Sequence, residues 1–237
     1  MSDINQQPTI LVTGANRGVG LGLAKTYHSR GYKVILAVRD LTKAPKLEGA
    51  IVVKIDSAST TDAKAAVEEL KTKYGIEKLD IVIANAGISA HYALMKELDI
   101  AQFQEHYLIN AQGPVVLFQA VYPLLKEGSK FIIVSTTGAS NGVVHYPNVG
   151  TYGASKSAVT YLSRQIHFEE PHITSFAFNP GWLDTEMGKY GAASFGMNET
   201  PEKLEVTLPQ MVKLIDNSSR EETSGYLWNY DGTKLPF

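Results

Sequence analysis

The stretch Thr9-Ile10-Leu11-Val12-Thr13-Gly14-Ala15-Asn16-Arg17-Gly18-Val19-Gly20 joins a β-rich run to a glycine-rich loop and the start of a helix. Gly14, Gly18 and Gly20 would let the backbone turn tightly and approach a pyrophosphate, which the N-terminus of the following helix would also attract. Their spacing, Gly-x3-Gly-x-Gly, differs from the common Gly-x-Gly-x2-Gly pattern, and a glycine-rich stretch alone can be only a turn. The stretch predicts a strand, a loop and a helix that hold a dinucleotide.

Short β-rich runs alternate with helical stretches along the rest of the chain. The runs are mostly continuous in apolar character, which is typical of parallel strands covered on both faces. The predicted strands are residues 9–12, 34–38, 51–55, 79–84, 131–134 and 173–178, and the predicted helices are about residues 19–30, 60–74, 101–126 and 152–168. This order predicts an α/β fold with a doubly wound parallel sheet of the Rossmann-like type. Residues 189–200, rich in Gly, Ala and Ser, are expected to form a mobile loop.

Length, charge and composition limit the class of protein. Residues 1–237 suffice for one full-sized domain but are short for two, so a single domain is expected. A formal net charge of −2 gives no electrostatic reason to expect nucleic acid or an anionic membrane as a partner. The absence of cysteine excludes disulfides, thiolate catalysis and Cys-based zinc sites, and the six histidines show no zinc-like spacing, so no metal is expected.

The N-terminal residues give no sign of export. Residues 1–8 are polar and lack the basic-then-apolar pattern of a signal peptide, and no apolar run approaches the ~20 residues that a membrane span needs. A cytoplasmic protein is therefore the expectation.

Tyr152 and Lys156 lie four residues apart at the predicted start of a helix. Both share one helix face at this spacing, so the ammonium can favour the phenolate and lower the pKa of Tyr152 from its usual value of ~10. Such a pair also occurs by chance on many helices as part of a solvated face. Together with the glycine loop, the pair predicts an acid–base catalyst beside a dinucleotide.

Asn110 lies in a predicted helix that continues through Gly113-Pro114. Pro114 lacks the N–H that would bond the carbonyl of residue 110, four positions earlier, so this carbonyl is left available to a water. The alternative is that the helix ends at Gly113-Pro114.

Five ordered motifs resemble those of the short-chain dehydrogenase/reductase family, from about residue 9 to the C-terminus. The family's Thr-Gly-x3-Gly-x-Gly loop, Asn-Ala-Gly, helix Asn, Tyr-x3-Lys and Pro-Gly motifs match residues 13–20, 85–87, 110, 152–156 and 180–181. Within the family, residues 166–170, 179–182 and 228–237 most resemble the norsolorinic acid ketoreductase-like carbonyl reductases.

The resemblance implies a catalytic tetrad of Asn110, Thr136, Tyr152 and Lys156. The family usually has Ser-Ser at the end of the fifth strand, and this chain has Ser135-Thr136. Thr136 keeps the hydroxyl, but its methyl group stiffens the rotamer and narrows the pocket. Ser135 takes the role instead if the strand is shifted by one residue. The implied reaction is reduction of a ketone or aldehyde, with Tyr152 as the proton donor and a water between the helix Asn and Lys156 in a proton relay.

Selectivity between NADP and NAD depends on the residue at the end of the second strand, which contacts the 2′-phosphate or the 2′-hydroxyl group of the ribose. An NAD-selective protein has an acidic residue there. This chain has Arg39 there and Arg17 in the glycine loop, and two guanidiniums favour a 2′-phosphate. The alternative is that Arg39 pairs with Asp40 or solvent. NADPH/NADP is the expected cofactor.

By resemblance, Lys156 also holds the nicotinamide ribose and Thr185 contacts the nicotinamide amide. The expected cofactor-binding residues are Gly14, Asn16, Arg17, Gly18, Val19, Gly20, Arg39, Asp56, Ser57, Asn85, Ala86, Gly87, Tyr152, Lys156, Pro180, Gly181, Trp182 and Thr185.

The implied partner is a small-molecule carbonyl substrate, bulky or aromatic. His145 and Tyr146 are expected near it, and an apolar lid is expected from Trp182, Tyr190, Phe195 and Met197. The alternative for Trp182 is a place in the core, because buried aromatic residues are common in any fold.

Two other functions remain open: an NAD-dependent secondary-alcohol dehydrogenase, and a non-catalytic dinucleotide-sensing protein on the same scaffold. The oligomeric state is open. By resemblance to the family, a homodimer or homotetramer would pair through the helices around residues 111–126 and 153–168, whose apolar side chains could equally belong to the core.

Overall fold

One sheet of eight strands runs through the protein and carries helices on both faces. The computed structural model describes residues 7–143 and 146–237. In chain order, strands β1 to β8 are Thr9–Thr13, Lys33–Val38, Ile51–Lys54, Ile81–Ala84, Lys130–Val134, Thr174–Asn179, Leu227–Asn229 and Lys234–Leu235. Helices α1 to α7 are Gly18–Ser29, Asp62–Tyr74, Ile100–Tyr107, Gly113–Val121, Gly150–Glu169, Glu186–Ser194 and Leu204–Asn217.

The strand order is β3-β2-β1-β4-β5-β6-β7-β8, and only β8 runs antiparallel to its neighbour. Leu11 at the centre of β1 lies beside Ile35 of β2 on one side and Val82 of β4 on the other. The order reverses between β1 and β4, which opens a crevice at their carboxyl ends. The doubly wound parallel sheet predicted from the sequence is confirmed.

Alternate residues of the strands enter two separate hydrophobic cores, one on each face of the sheet. Leu11 packs with Phe131 in one core, whereas Ile10 packs with Phe176 and Phe178 in the other. All five side chains are fully buried. Because both faces are covered, the strands have no polar side to alternate, which explains their continuous apolar sequence.

The helix predicted over residues 101–126 is interrupted. Helix α3 ends at Tyr107, a π-helical turn covers Leu108–Gln112, and α4 begins at Gly113. The N–H of Gly113 bonds the carbonyl of Leu108, five residues earlier, instead of four. The chain therefore stays helical through Gly113-Pro114, and the π turn lies immediately before the proline.

The loop predicted over residues 189–200 is wrong for its first half, which belongs to α6. Thr185 caps this helix, because its hydroxyl accepts a hydrogen bond from the N–H of Gly188. Helix α7 contains Pro209, a helix breaker in most contexts, and was not predicted. Strands β7 and β8 have three and two residues and were too short to recognise.

A membrane-spanning helix and a metal-binding cluster are both absent from residues 7–143 and 146–237. No helix there is long and apolar enough to cross a membrane. Groups of three or more His, Asp or Glu side chains that could hold a metal ion are also absent from this part of the chain.

The side chain of Thr13 joins β1 to the end of β4 at the crevice. Its hydroxyl oxygen accepts hydrogen bonds from the N–H groups of Asn85 and Ala86, at 3.0 Å each. The hydroxyl also reaches the carbonyl of Ile83 at 3.4 Å, and Thr13 is buried. In return, the amide nitrogen of Asn85 donates to the Thr13 carbonyl at 2.8 Å.

Replacing Thr13 by valine should destabilise the protein by about 1–3 kcal/mol, because two backbone N–H groups lose their acceptor while the side-chain volume hardly changes. Urea unfolding of the parent, Thr13→Val and Thr13→Ser measures the effect. The serine variant keeps the hydroxyl and should lose less stability than the valine variant. Equal losses in the two variants would contradict this account of the junction.

Candidate active site

The crevice at the carboxyl ends of β1 and β4 begins with a glycine cradle. Gly14 and Gly18 have φ angles of 63° and 54°, a left-handed conformation that glycine adopts without strain. A Cβ atom on Gly20 would lie 2.5 Å from the Gly14 carbonyl oxygen and from the Asn85 amide nitrogen, so no larger residue fits. The backbone of the glycine loop therefore carries no side chain at these three positions beside the crevice.

The N-terminus of α1 opens directly from this cradle. Arg17 is its N-cap residue with extended backbone, and no side chain among the described residues caps the helix or places an acidic group in its first turn. The first N–H groups of the helix and the positive end of its dipole are therefore available to bind an anion. Bare glycines beside uncapped N–H donors fit the pyrophosphate of a dinucleotide.

Arg39 lies exposed immediately after β2, at the edge of the crevice. Asp40 is engaged elsewhere, because its carboxylate accepts from the N–H and hydroxyl of Thr42 and so caps a short 3₁₀ turn. These bonds hold the pKa of Asp40 below its ordinary value. No ion pair of Arg39 with Asp40 or with any other described residue is present. Arg17, in contrast, forms an exposed ion pair with Glu186 at the start of α6.

Two loops line the crevice between these positions. After β3, Asp56 caps its own turn by accepting from the N–H of Ala58 at 3.0 Å. Ser57 packs against the helix that carries Asn110, since a Cβ atom on Gly113 would lie 2.8 Å from the Ser57 carbonyl oxygen. In the glycine loop, Asn16 is partly buried, and Val19 packs on the core.

Asn110 is fully buried and holds the segment after β4 with its side-chain amide. Its oxygen accepts from the N–H of Ile88 at 2.8 Å, and its nitrogen donates to the Ile88 carbonyl at 2.9 Å. The same nitrogen reaches the Ser155 hydroxyl at 3.0 Å. Asn110 thereby joins the Asn-Ala-Gly segment to α5 at the residue directly before Lys156.

Tyr152 and Lys156 lie on α5 as predicted, and the Lys156 ammonium is 6.0 Å from the centre of the Tyr152 ring. Lys156 is buried and donates to the Val134 carbonyl at 2.8 Å, and a Cβ atom on Gly87 would lie 3.3 Å from its nitrogen. Burial lowers the pKa of Lys156 to about 8.

Burial also raises the pKa of the Tyr152 phenol, and the neighbouring Tyr92 adds to this effect. The prediction of a Tyr152 pKa below its usual value is therefore wrong for this structure, because desolvation of the buried phenol sets the direction of the shift. The Lys156 ammonium is itself buried and donates to the Val134 carbonyl.

The structure separates the roles of Ser135 and Thr136. Ser135 is buried, and its hydroxyl is hydrogen-bonded to that of Thr160 on α5 at 2.6 Å. Thr136 is partly exposed, and its hydroxyl oxygen accepts from the N–H of Gly138 at 3.2 Å. Helix α5 packs closely on this turn, since a Cβ atom on Gly153 would lie 3.0 Å from the Gly138 carbonyl oxygen. Thr136 is thus the hydroxyl available at this strand end.

The segment after β6 crosses the other side of the crevice. Pro180 is followed by Gly181, whose φ of 94° is left-handed. The Trp182 indole donates to the Gly188 carbonyl at 2.9 Å, which fixes the ring against α6. The methyl group of Thr185 would lie 3.3 Å from a Cβ atom on Gly18, so this segment touches the glycine loop.

Aromatic side chains form a cluster on this side of the site, which we name the aromatic wall. The ring of Phe195 lies 5.6–5.7 Å from the rings of Tyr92, Tyr146 and Trp182, and Tyr190 lies 5.9 Å from Tyr92. Trp182 is only partly buried, so it is not a core residue.

Of the residues expected in an apolar lid, Trp182, Tyr190 and Phe195 belong to the aromatic wall. Sequence reasoning missed Tyr92, although its position five residues after the Asn-Ala-Gly motif could have indicated it. Met197 is 38% exposed and makes none of these ring contacts. His145 lies outside the described residues.

The lowered pKa of Lys156 predicts how stability changes with pH. Between pH 8 and 10.5, the ordinary value, the unfolded chain holds more protons than the folded one, so rising pH favours the folded parent. Urea unfolding at pH 7 and pH 10 should show the parent gaining on the order of 1–3 kcal/mol relative to Lys156→Met. Both proteins are compared in a Tyr152→Phe background to remove the phenol's titration. An unchanged difference, or one of opposite sign, would show that Lys156 is not desolvated.

Comparison with known proteins places this arrangement in a family. The model of the short chain dehydrogenase family matches residues 8–194. The norsolorinic acid ketoreductase of Dothistroma septosporum is 36% identical over 98% of this chain and 94% of its own length. The norsolorinic acid ketoreductase of Aspergillus parasiticus is 33% identical over 98% of this chain and 92% of its own length.

Solved structures share the fold. The NADPH-bound carbonyl reductase from chicken fatty liver superimposes with a TM-score of 0.84, over 98% of this chain and all of that chain, at 24% sequence identity. The residues matched by the family model include the glycine cradle, Asn110, Tyr152 and Lys156. The chain belongs to the short-chain dehydrogenase/reductase family of oxidoreductases, and norsolorinic acid ketoreductases are among its similar relatives.

Proposed function

We propose that the protein is an NADPH-dependent carbonyl reductase that reduces a bulky or aromatic ketone or aldehyde. The observation that carries this proposal is the meeting of three features at one crevice: a glycine cradle, a Tyr152–Lys156 pair on α5, and the aromatic wall. A single domain supplies all three.

Thr136 and Tyr152 act on the substrate oxygen. The Thr136 hydroxyl donates to it and fixes its position, while the Tyr152 hydroxyl donates a second hydrogen bond. A bound nicotinamide dinucleotide supplies the hydride. As negative charge develops on the oxygen, Tyr152 transfers its proton. The raised pKa of Tyr152 means that the phenol still holds this proton at neutral pH, as a general acid must.

Lys156 and Asn110 support the proton transfer. A Cβ atom on Gly87 would touch both the Asn110 amide oxygen, at 2.9 Å, and the Lys156 nitrogen, at 3.3 Å, so the two groups flank the same glycine. With a pKa of about 8, Lys156 can hold or release a proton near neutral pH. Its ammonium stabilises the phenolate that Tyr152 becomes once it has given up its proton.

The aromatic wall supports a bulky or aromatic substrate. Its rings meet mostly edge to face or tilted, an arrangement that a further flat ring can extend. The names of the two fungal relatives, norsolorinic acid ketoreductases, agree with a ketone as the reacting group.

Preference for NADPH is supported by Arg39. It stands where an NAD-selective protein has a carboxylate, and its neighbour Asp40 is committed to Thr42. Arg17 gives weaker support than the sequence suggested, because its side chain is directed to Glu186 in an exposed ion pair.

Replacing Tyr152 by phenylalanine should lower the rate of ketone reduction by about 10²–10⁴-fold, as expected for loss of a general acid. The measurement is the decrease in reduced-cofactor absorbance with a panel of aromatic and aliphatic ketones and aldehydes. Circular dichroism serves as the control that the variant is folded. Near-normal turnover of Tyr152→Phe would refute the catalytic assignment.

Replacing Arg39 by alanine should raise the KM for NADPH by about 10–100-fold, the value of one charge-assisted hydrogen bond, with little change for NADH. Arg17→Ala is the matched control and should have a smaller effect, because Arg17 is ion-paired with Glu186. A parent protein that prefers NADH, or equal effects of Arg39→Ala on both cofactors, would contradict the role of Arg39 and favour an NAD-dependent alcohol dehydrogenase.

A further inference from the structure

We propose that Tyr92 and Ser89 form a binding subsite for an oxygen substituent of the substrate, a ring hydroxyl group on an aryl ketone. This inference rests on the proposed function and adds a specificity-determining pair that lies outside the catalytic tetrad.

The two hydroxyl groups form an incomplete hydrogen-bonding pair. The Tyr92 oxygen lies 2.7 Å from the Ser89 oxygen, and Ser89 is 8% exposed. The pair has two hydroxyl hydrogens, and one of them is used between the two oxygens. Neither oxygen bonds any other group within the described part of the chain, so one donor and several lone pairs remain for a ligand.

The backbone around the pair is held in place from three sides. Asn110 binds both the N–H and the carbonyl of Ile88. The N–H of Ala90 donates to the Nε2 atom of the buried His106 at 3.2 Å, and the Ala90 carbonyl accepts from the Tyr190 hydroxyl at 3.2 Å. A subsite on a segment fixed in this way needs little reorganisation when a ligand binds.

The pair also lies beside the reacting centre and the aromatic wall. Gly191 marks the contact with α6, because a Cβ atom there would lie 2.9 Å from the Tyr92 oxygen and 3.6 Å from the Trp182 ring. Tyr92 is close enough to Tyr152 to raise the pKa of that phenol further. The pair therefore neighbours both the aromatic wall and Tyr152, so a ring that packs on the wall with its carbonyl at Tyr152 would present a ring substituent to the pair.

The chemistry of the pair selects the ligand. It offers a donor and acceptors without a charge, which suits a hydroxyl group and gives no special advantage to a carboxylate or an ammonium. An unsubstituted ring leaves the spare donor without a partner, so the hydroxylated ring is favoured.

The test compares acetophenone with its three ring-hydroxylated isomers, so that no particular position is assumed. The parent should favour at least one isomer by about 5–10-fold in kcat/KM, mainly through KM, the value of one neutral hydrogen bond. Tyr92→Phe, which keeps the ring of the wall, should abolish this preference, so that the ratio of kcat/KM between each hydroxylated isomer and acetophenone falls to about one. Ser89→Ala should reduce the preference partly, since one hydroxyl remains.

Tyr146→Phe is the matched control, because it removes an exposed phenol from the same wall and leaves the three contacts that hold Ile88 and Ala90 in place. It should keep the preference. A preference that survives in Tyr92→Phe, or a loss that is equal for all four ketones, would overturn the proposal.

Binding distinguishes this proposal from the proposed function. Quenching of tryptophan fluorescence, with oxidised cofactor present, gives Kd values for the same four ketones without turnover. If none is reduced but the Kd preference exists and depends on Tyr92, the subsite stands and the reductase proposal fails. If the ketones are reduced without a preference in either KM or Kd, the subsite is refuted and the reductase proposal stands.

Discussion

The junction between Thr13 and Asn85 is the constraint on which the rest of the site depends. One hydroxyl and one amide hold the carboxyl ends of β1 and β4 together, at the point where the strand order reverses. The amide nitrogen of Asn85 also closes on Gly14 and fills the space where Gly20 would carry a side chain. The shape of the glycine cradle is therefore set by a contact from the neighbouring strand as much as by the glycines themselves.

A second set of buried bonds places the proposed catalytic groups relative to this junction. Asn110 connects the segment after β4 with Ser155 on α5, and Lys156 connects α5 with the end of β5 at Val134. Three strand ends and one helix are thus fixed to each other through polar side chains that have little exposure to water. Buried polar networks of this kind resist displacement, because each broken bond leaves an unsatisfied group. The cost of burying Lys156 appears in its lowered pKa.

The sequence predicted the sheet, its parallel direction and the location of the Tyr152–Lys156 pair, because each depends on a local pattern. Continuous apolar runs indicate strands covered on both faces, and a spacing of four residues indicates two side chains on the same helix face. The π turn at Leu108–Gln112 depends on a backbone hydrogen bond that spans five residues instead of four, which no residue pattern specifies. Helix α6 depends on one capping threonine in a segment of small residues. The pKa of Tyr152 could not be predicted either, because desolvation depends on what packs around the ring. The position of Tyr92 required the contacts with α6.

The ion pair between Arg17 and Glu186 has a consequence for the rate at which the cofactor enters. It links the glycine loop to the start of α6, and both side chains are at least two-thirds exposed (66% and 75%). An exposed pair of this kind contributes only about 0–1 kcal/mol and is screened by salt. This ionic contact between the glycine loop and the start of α6 is therefore one that thermal motion breaks readily. If Arg39 binds the cofactor as proposed, ionic strength acts twice on the encounter, by loosening this contact and by weakening the attraction of Arg39 for an incoming anion.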